Sequence, residues 1–257
     1  MYLIDTHAHI YLPEFTADLD EVIVRSRKEG VQLILMPNIA MNTIAPMLEV
    51  SGRYPDFCLP MIGLHPCSVD KNFRTELEIL ERKIKETRYY GIGETGIDLY
   101  WDKTYLYEQI ESLEFQAEMA ILHQLPLILH CRDSINETIG VIKSFSGKSL
   151  TGIFHCFTGT ARQAAEITEL GFMLGIGGVI TFKNSNLAQA LNATDLHHLV
   201  LETDSPYLAP VPFRGKRNDP SRLVHIAGKL AEAMHTTQEE IAELTSRNAI
   251  KLFGLRI

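Results

Sequence analysis

The chain opens on Asp5-Thr6-His7-Ala8-His9, two imidazoles separated by one residue. On an extended segment side chains two apart leave the same face, so His7 and His9 can converge on one cation. Alone the pair is a weak signal, because a hydrogen-bonded core histidine looks the same in sequence. Four further residues of metal-ligand type each end a short apolar run: Glu94 in Gly93-Glu94-Thr95-Gly96, His130 in Leu129-His130-Cys131-Arg132, His155 in Phe154-His155-Cys156, and Asp204 in Glu202-Thr203-Asp204. Four histidines and two carboxylates exceed what one three-ligand catalytic zinc needs, and they suit two ions that share a bridging carboxylate. Glu94 is the expected bridge, since Gly91, Gly93 and Gly96 leave room for something close to the backbone. Asp204 is expected to bind metal and to accept a proton from the nucleophilic water, the competing reading being a turn or N-cap aspartate before Ser205-Pro206.

Two residues are expected to touch substrate. Arg132, two beyond His130, returns to the side of the histidine and can hold an anion; a plain surface arginine is the alternative. His65, in Gly63-Leu64-His65-Pro66, can contact a phosphate or protonate a leaving group, and is otherwise a structural histidine. Cys131 and Cys156 follow candidate ligands and should point to the opposite strand face as packing residues. With Cys58 and Cys67 they form no CxxC pair, and all four are read as buried thiols in a reducing compartment. His123, His197, His198, His225 and His235 are assigned no chemistry.

These residues need a scaffold that brings distant strand ends onto one ring. Apolar, β-branched runs recur near residues 2–7, 31–37, 57–64, 90–95, 126–131, 151–156, 172–177 and 198–203. Amphipathic segments lie between them: in 104–123, Leu106, Ile110, Leu113, Ala117 and Ile121 recur at helical spacing, and 16–29, 74–87, 160–170 and 238–252 are of similar character. Eight βα units predict a single (β/α)₈ TIM-barrel domain over 1–257, whose active site sits at the C-terminal strand ends. An open doubly wound sheet would show a glycine-rich phosphate turn after its first strand, where this chain has Thr6-His7-Ala8-His9. The long irregular stretch 205–219, rich in proline and carrying Arg214, Lys216 and Arg217, should hang over the mouth and make it positive.

Composition narrows the partners. With 46% apolar and 22% charged residues and no run near the roughly 18 apolar residues of a membrane span, no membrane association is expected. The N-terminus shows no basic leader or secretory apolar region, so a cytoplasmic location is expected. A net charge of −8 has the wrong sign for broad phosphate neutralisation, so an anionic substrate must be drawn by local charge, bound metal included. No feature points to an obligatory protein partner.

Taken together, Asp5-Thr6-His7-Ala8-His9, Gly63-Leu64-His65-Pro66, Gly91-Ile92-Gly93-Glu94-Thr95-Gly96-Ile97-Asp98, His130 with Arg132, His155-Cys156-Phe157-Thr158-Gly159, and Glu202-Thr203-Asp204-Ser205-Pro206-Tyr207-Leu208 followed by Arg214-Gly215-Lys216-Arg217-Asn218 resemble the TatD family of metal-dependent deoxyribonucleases, in the family's order and over essentially the whole chain. The resemblance implies a barrel of the amidohydrolase type with His7, His9, Glu94, His130, His155 and Asp204 as metal ligands. It implies DNA as substrate and phosphodiester hydrolysis, commonly as an exonuclease, by a hydroxide activated between two divalent ions (Mg²⁺, Mn²⁺ or Zn²⁺). Two departures stand out: Asp219-Pro220 where the family often has Glu-Pro, which puts a substrate or loop contact there in doubt, and Thr95 and Leu99 in the glutamate motif. The same centre could instead hydrolyse a carbonyl substrate, an amide, lactone or aminoacyl ester, since a fold does not fix a substrate. A non-catalytic metal-binding remnant is a third reading, disfavoured by the presence of all six ligand types.

Overall fold

The eight apolar runs are strands, most of whose residues are buried whichever face they take, which is why they read as continuous apolar stretches rather than alternating ones. The computed structural model describes residues 1–255. The strands are β1 (Leu3–Asp5), β2 (Val31–Met36), β3 (Cys58–Pro60), β4 (Ile92–Asp98), β5 (Leu127–Arg132), β6 (Gly152–Phe154), β7 (Phe172–Ile176) and β8 (Leu199–Leu201). Several are shorter than the apolar runs that announce them. Cys156 and Asp204, with φ of 45° and 55°, turn the backbone out of extended geometry just beyond β6 and β8.

All pairings are parallel, in two ladders of order β1-β2-β3 and β4-β5-β6-β7-β8. Short bridges close them into a ring. Ile62 pairs with Ile92 beside the β3–β4 seam, with Gly93 N donating to Ile62 O at 2.8 Å. At the β8–β1 seam Thr6 N donates to Leu201 O at 3.0 Å, and Ala8 bridges Ser205. The result is an α/β TIM barrel.

The helices are α1 (Leu19–Lys28), α2 (Ile44–Arg53), α3 (Phe73–Lys83), α4 (Leu106–His123), α5 (Ile135–Lys143), α6 (Ala161–Glu169), α7 (Leu187–Leu191), α8 (Leu223–Ala233) and α9 (Gln238–Phe253). The five amphipathic stretches singled out in the sequence correspond to α1, α3, α4, α6 and α9. Local chemistry sets several ends: Thr160 and Gln163 form a capping box on α6, and Gly254, at φ 59°, ends α9 in the left-handed conformation a side chain would resist. Between strands and helices lies an outer apolar shell that includes Phe15, Met47, Leu77, Leu113, Ile167 and Leu230. Inside the barrel Ile4, Leu35, Met61, Ile128, Ile153 and Val200 pack with Phe253 and Leu255 from the end of the chain's described part.

Only Cys58 among the four cysteines is fully buried; Cys131 and Cys156 are half-buried and Cys67 is exposed, which corrects the expectation of four buried thiols. Among the described residues no helix is long and apolar enough to cross a membrane.

Candidate metal centre

The strand period explains most of the site. Ile128, Ile153 and Val200 point into the barrel, so the residues two further along, His130, His155 and Glu202, emerge on the same side at its mouth. Glu94 arrives differently. Ile92 pairs with Leu127 and Thr95 with Leu129, so three residues of β4 oppose two of β5, and Glu94 lies in this bulge, where strands re-aim a side chain. The glycines around it serve the neighbouring strands rather than a ligand. A Cβ on Gly96 would stand 2.1 Å from the His130 carbonyl oxygen, and one on Gly93 would stand 2.6 Å from Ile128 Cβ.

Glu94 is buried at 2% exposure and its two oxygens face different groups. Oε2 is 3.3 Å from His7 Nε2 and 3.6 Å from His9 Nε2, and those nitrogens are 3.1 Å from each other. Asp204 Oδ1 adds to this group at 3.7 Å from His7 Nε2 and 3.5 Å from His9 Nε2. Oε1 is 2.8 Å from His155 Nε2, 2.9 Å from His130 Nδ1 and 3.4 Å from His65 Nε2. The six expected ligands therefore converge. Three sets of side chains come close enough to grip an ion: His7, His9 and Glu94; His65, Glu94 and His130; His7, His155 and Asp204. Imidazole nitrogens this close, all turned on one carboxylate, form a donor set of the nitrogen and oxygen type that a divalent cation fits.

The ionisation of the cluster follows from its crowding. Burial pushes Glu94 and Asp204 towards neutrality, but the surrounding histidines outweigh it and hold both carboxyls below their ordinary range, Glu94 far below. Burial likewise opposes charge on His130 and His155, and the carboxylates of Asp98 and Glu94 around the first, and of Glu94 and Glu202 around the second, raise both.

Behind the converging groups stands a set of acids to which sequence reasoning gave no role. Asp98 Oδ2 is 2.9 Å from His130 Nε2, and Glu202 Oε1 is 3.5 Å from His155 Nδ1 while accepting 2.6 Å from Cys156 N. Asp5 is buried under the His7 turn and accepts from Thr203 Oγ1 at 2.6 Å and Thr203 N at 2.9 Å; burial pushes its carboxyl up to about 8. Carboxylates placed like Asp98 and Glu202 fix which ring nitrogen faces a metal, whereas Asp5 holds the backbone of the His7 turn through His7 N at 3.3 Å. A carboxylate two or four residues from a candidate ligand, as in Glu94…Asp98, Glu202…Asp204 and Asp5…His7, is the sequence signal that could have found them.

The expected substrate residues fall on either side of this picture. His65 sits among the ligands, its Nε2 3.3 Å from His130 Nδ1, while its Nδ1 accepts from Cys67 N at 3.0 Å; the geometry makes it a candidate ligand rather than a detached phosphate contact. Arg132 lies at the mouth with its guanidinium 3.7 Å from the Tyr100 ring centre. The basic loop is partly engaged within the protein, while Arg214 and Lys216 stay exposed. Arg217 is paired with Asp18 through two bonds of 2.8 and 2.7 Å, and Arg214 rests 3.7 Å above the Phe182 ring. Asp219, the shorter acid of the Asp-Pro pair, makes its loop contacts, accepting from Arg25 Nε at 3.1 Å and from Ser221 N at 3.0 Å. Cys156 lies outside β6, so the alternation that would turn it from the centre does not apply there.

Comparison with known proteins gives the same outline. A family model described as TatD related DNase matches residues 4–254. The metal-dependent hydrolase YabD of Bacillus subtilis is 36% identical over 98% of this chain and 99% of its own length. The metal-dependent hydrolase YcfH of Escherichia coli K12 is 30% identical over 99% of this chain and 97% of its own. Among solved structures, that of YjjV, a TatD homologue from Escherichia coli K12, superposes with a TM-score of 0.93 at 28% identity, covering 99% of this chain and 98% of that one.

Proposed function

The chain belongs to the family of TatD related DNases and is a metal-dependent hydrolase, and from that premise we propose that it hydrolyses phosphodiester bonds at the ends of DNA strands with two divalent ions held on either side of Glu94. The observation that carries this reading is the division of labour between the Glu94 oxygens, Oε2 towards His7 and His9 and Oε1 towards His130 and His155. His7, His9 and Asp204 would hold one ion, His130 and His155 the other, with His65 within reach of the second. Ions so held supply Lewis acidity at phosphoryl oxygens and lower the pKa of water. The protein's own part is positional and basic. Asp204, kept ionised by His9, His7 and His155, would take the proton of the attacking water on its carboxylate. Its φ of 55° belongs to a region that a non-glycine residue enters only when its surroundings impose it, and the Asp204 N to His7 O bond of 2.8 Å is one such constraint.

The test is hydrolysis of end-labelled single-stranded DNA by chelator-stripped protein, with Mg²⁺, Mn²⁺ or Zn²⁺ returned and Asp204→Ala as control. Stepwise shortening that needs both the metal and Asp204 supports the reading; intact DNA with every ion removes it. One observation favours a second reading, a two-metal hydrolase of an amide, lactone or aminoacyl ester: Asp18 neutralises Arg217, one of the three cations in the loop over the mouth. Turnover of such esters alongside intact DNA would establish that alternative.

A further inference from the structure

At the end of β4 two aromatic side chains stand in water: Tyr100 is 54% exposed and Trp101 69%. Neighbouring aromatics left this open are unusual on a surface that has apolar cores to offer them. Their backbone is nevertheless fixed. Asp98 Oδ1 accepts from Tyr100 N at 2.9 Å and Trp101 N at 3.2 Å, while Oδ2 of the same carboxylate holds His130 at 2.9 Å. One acid thus ties the aromatic pair to a candidate metal ligand. Arg132 covers one face of Tyr100, 3.7 Å from its centre, and Trp101 meets Tyr100 edge to face with centroids 4.9 Å apart.

Tyr100 and Arg132 form part of the wall of a cleft of about 1010 Å³ that runs past the starts of α5 and α6 and is also lined by Cys131, next to His130; Trp101 stands outside that wall, its ring centre 5.2 Å from the Arg132 guanidinium. Arg132 is the one cation in that lining, which also carries Asp133 and Glu137. A cleft with two acids and one arginine cannot follow the phosphates of a duplex, whose binding rests on many neutralised charges. It can accept one flat, uncharged ring with a single phosphate beside it. Aromatic faces and guanidinium planes are the groups that take an unpaired base in this way.

We propose that Trp101, backed by Tyr100 and Arg132, stacks an unpaired nucleobase at the end of a strand, so that the adjoining phosphate lies towards Glu94. The inference rests on the phosphodiesterase reading above for its reaction, but not for its binding. Trp101 is the chain's one tryptophan, so intrinsic fluorescence reports this platform directly.

The experiment has two arms on the metal-loaded protein. In the first, dAMP and deoxyribose 5-phosphate are titrated against tryptophan emission; quenching by dAMP and not by the sugar phosphate is expected, and no change with dAMP up to millimolar concentration overturns the proposal. In the second, single strands with a normal or an abasic terminal nucleotide are cleaved by wild type, Trp101→Ala and Trp101→Phe. Loss of the stacked ring should raise KM on the normal strand about 10- to 100-fold with a much smaller change in kcat. Phenylalanine should restore most of it, and wild type and Trp101→Ala should converge on the abasic strand. Equal KM for wild type and Trp101→Ala on the normal strand overturns the proposal even if DNA is cleaved. If no DNA is cleaved while dAMP still quenches, the nuclease reading fails and the nucleobase site stands.

Discussion

Asp98 Oδ2 lies 2.9 Å from His130 Nε2, on the edge of the ring opposite the Nδ1 that faces Glu94 Oε1 at 2.9 Å. A proton on Nε2, donated to Asp98, leaves the Nδ1 lone pair for a cation. Asp98→Asn removes the charge but keeps an oxygen for the Tyr100 and Trp101 amides. Metal affinity, read by competition with a chromophoric chelator, should fall about 10- to 100-fold, and activity should return with excess metal. Unaltered affinity would reduce Asp98 to a turn residue.

Glu94→Gln keeps the shape of the bridge and takes away its charge. Metal content after dialysis should drop, and turnover should fall by about 10²- to 10³-fold or more, the scale seen when one electrostatic contributor to an active site is lost. Circular dichroism should keep its wild-type form, since the apolar core of the barrel does not include this carboxylate. Full metal content with full turnover would contradict the bridging role.

Gly175→Ala tests how tightly the acids behind the ligands are packed. Its Cβ would stand 2.2 Å from Glu202 Oε2 and 3.0 Å from the His155 Cα, so the Glu202 carboxylate must turn away from its place behind His155 and the backbone beyond β6 must give. Urea unfolding should show a loss of about 1–3 kcal/mol, the usual cost of overpacking, together with weaker metal binding. Gly171→Ala would meet no atom within 4 Å and isolates the effect of its own φ of 84° from that of a clash.

Asp18 supplies the pH dependence. Hydrogen bonds from Arg217 and Arg25 hold its carboxyl down at about 2, below its unfolded value. A depressed acid stabilises the fold fully above its unfolded pKa near 3.9, and the contribution disappears as pH falls through the folded value. With a quarter of the side chain in water, solvent screening limits it to about 1 kcal/mol. Wild type should exceed Asp18→Asn in stability by a constant amount above pH 5, and the curves should merge towards pH 2. A gap that persists at pH 2 would point to packing instead.

Much of the centre was legible because it depends on period. His130 and His155, at the ends of buried runs, need only the alternation of a strand and the closure of a barrel to meet, while His7 and His9 lie beyond β1, where a turn held by Asp5 sets their direction. Glu94 was recognised for a reason that does not hold: its glycines admit Ile128 and the His130 carbonyl, and a bulge, which leaves no mark in composition, turns the side chain inward. Arg217 was misjudged because its partner, Asp18, is 199 positions away. His65, read as a substrate contact, and Asp98, given no role, differ from expectation for a related reason, since which imidazole nitrogen faces a cation is decided by contacts between β3, β4 and β5 and not by spacing along any one of them.

The seam between β8 and β1 joins residues 195 positions apart, Thr6 and Leu201, and the groups expected to hold one ion, His7, His9 and Asp204, lie just beyond it on both sides. An ion seated there works as a clasp on a ring. Closing so long a loop is entropically costly and slow to occur by chance. A ligand that recognises only the closed form favours it by mass action, by about 4 kcal/mol when present at a thousand times its dissociation constant. The metal supply of the surroundings would then govern how much of this protein is folded as well as how fast it turns over, and a chain starved of metal would first loosen at the join between its beginning and its eighth strand.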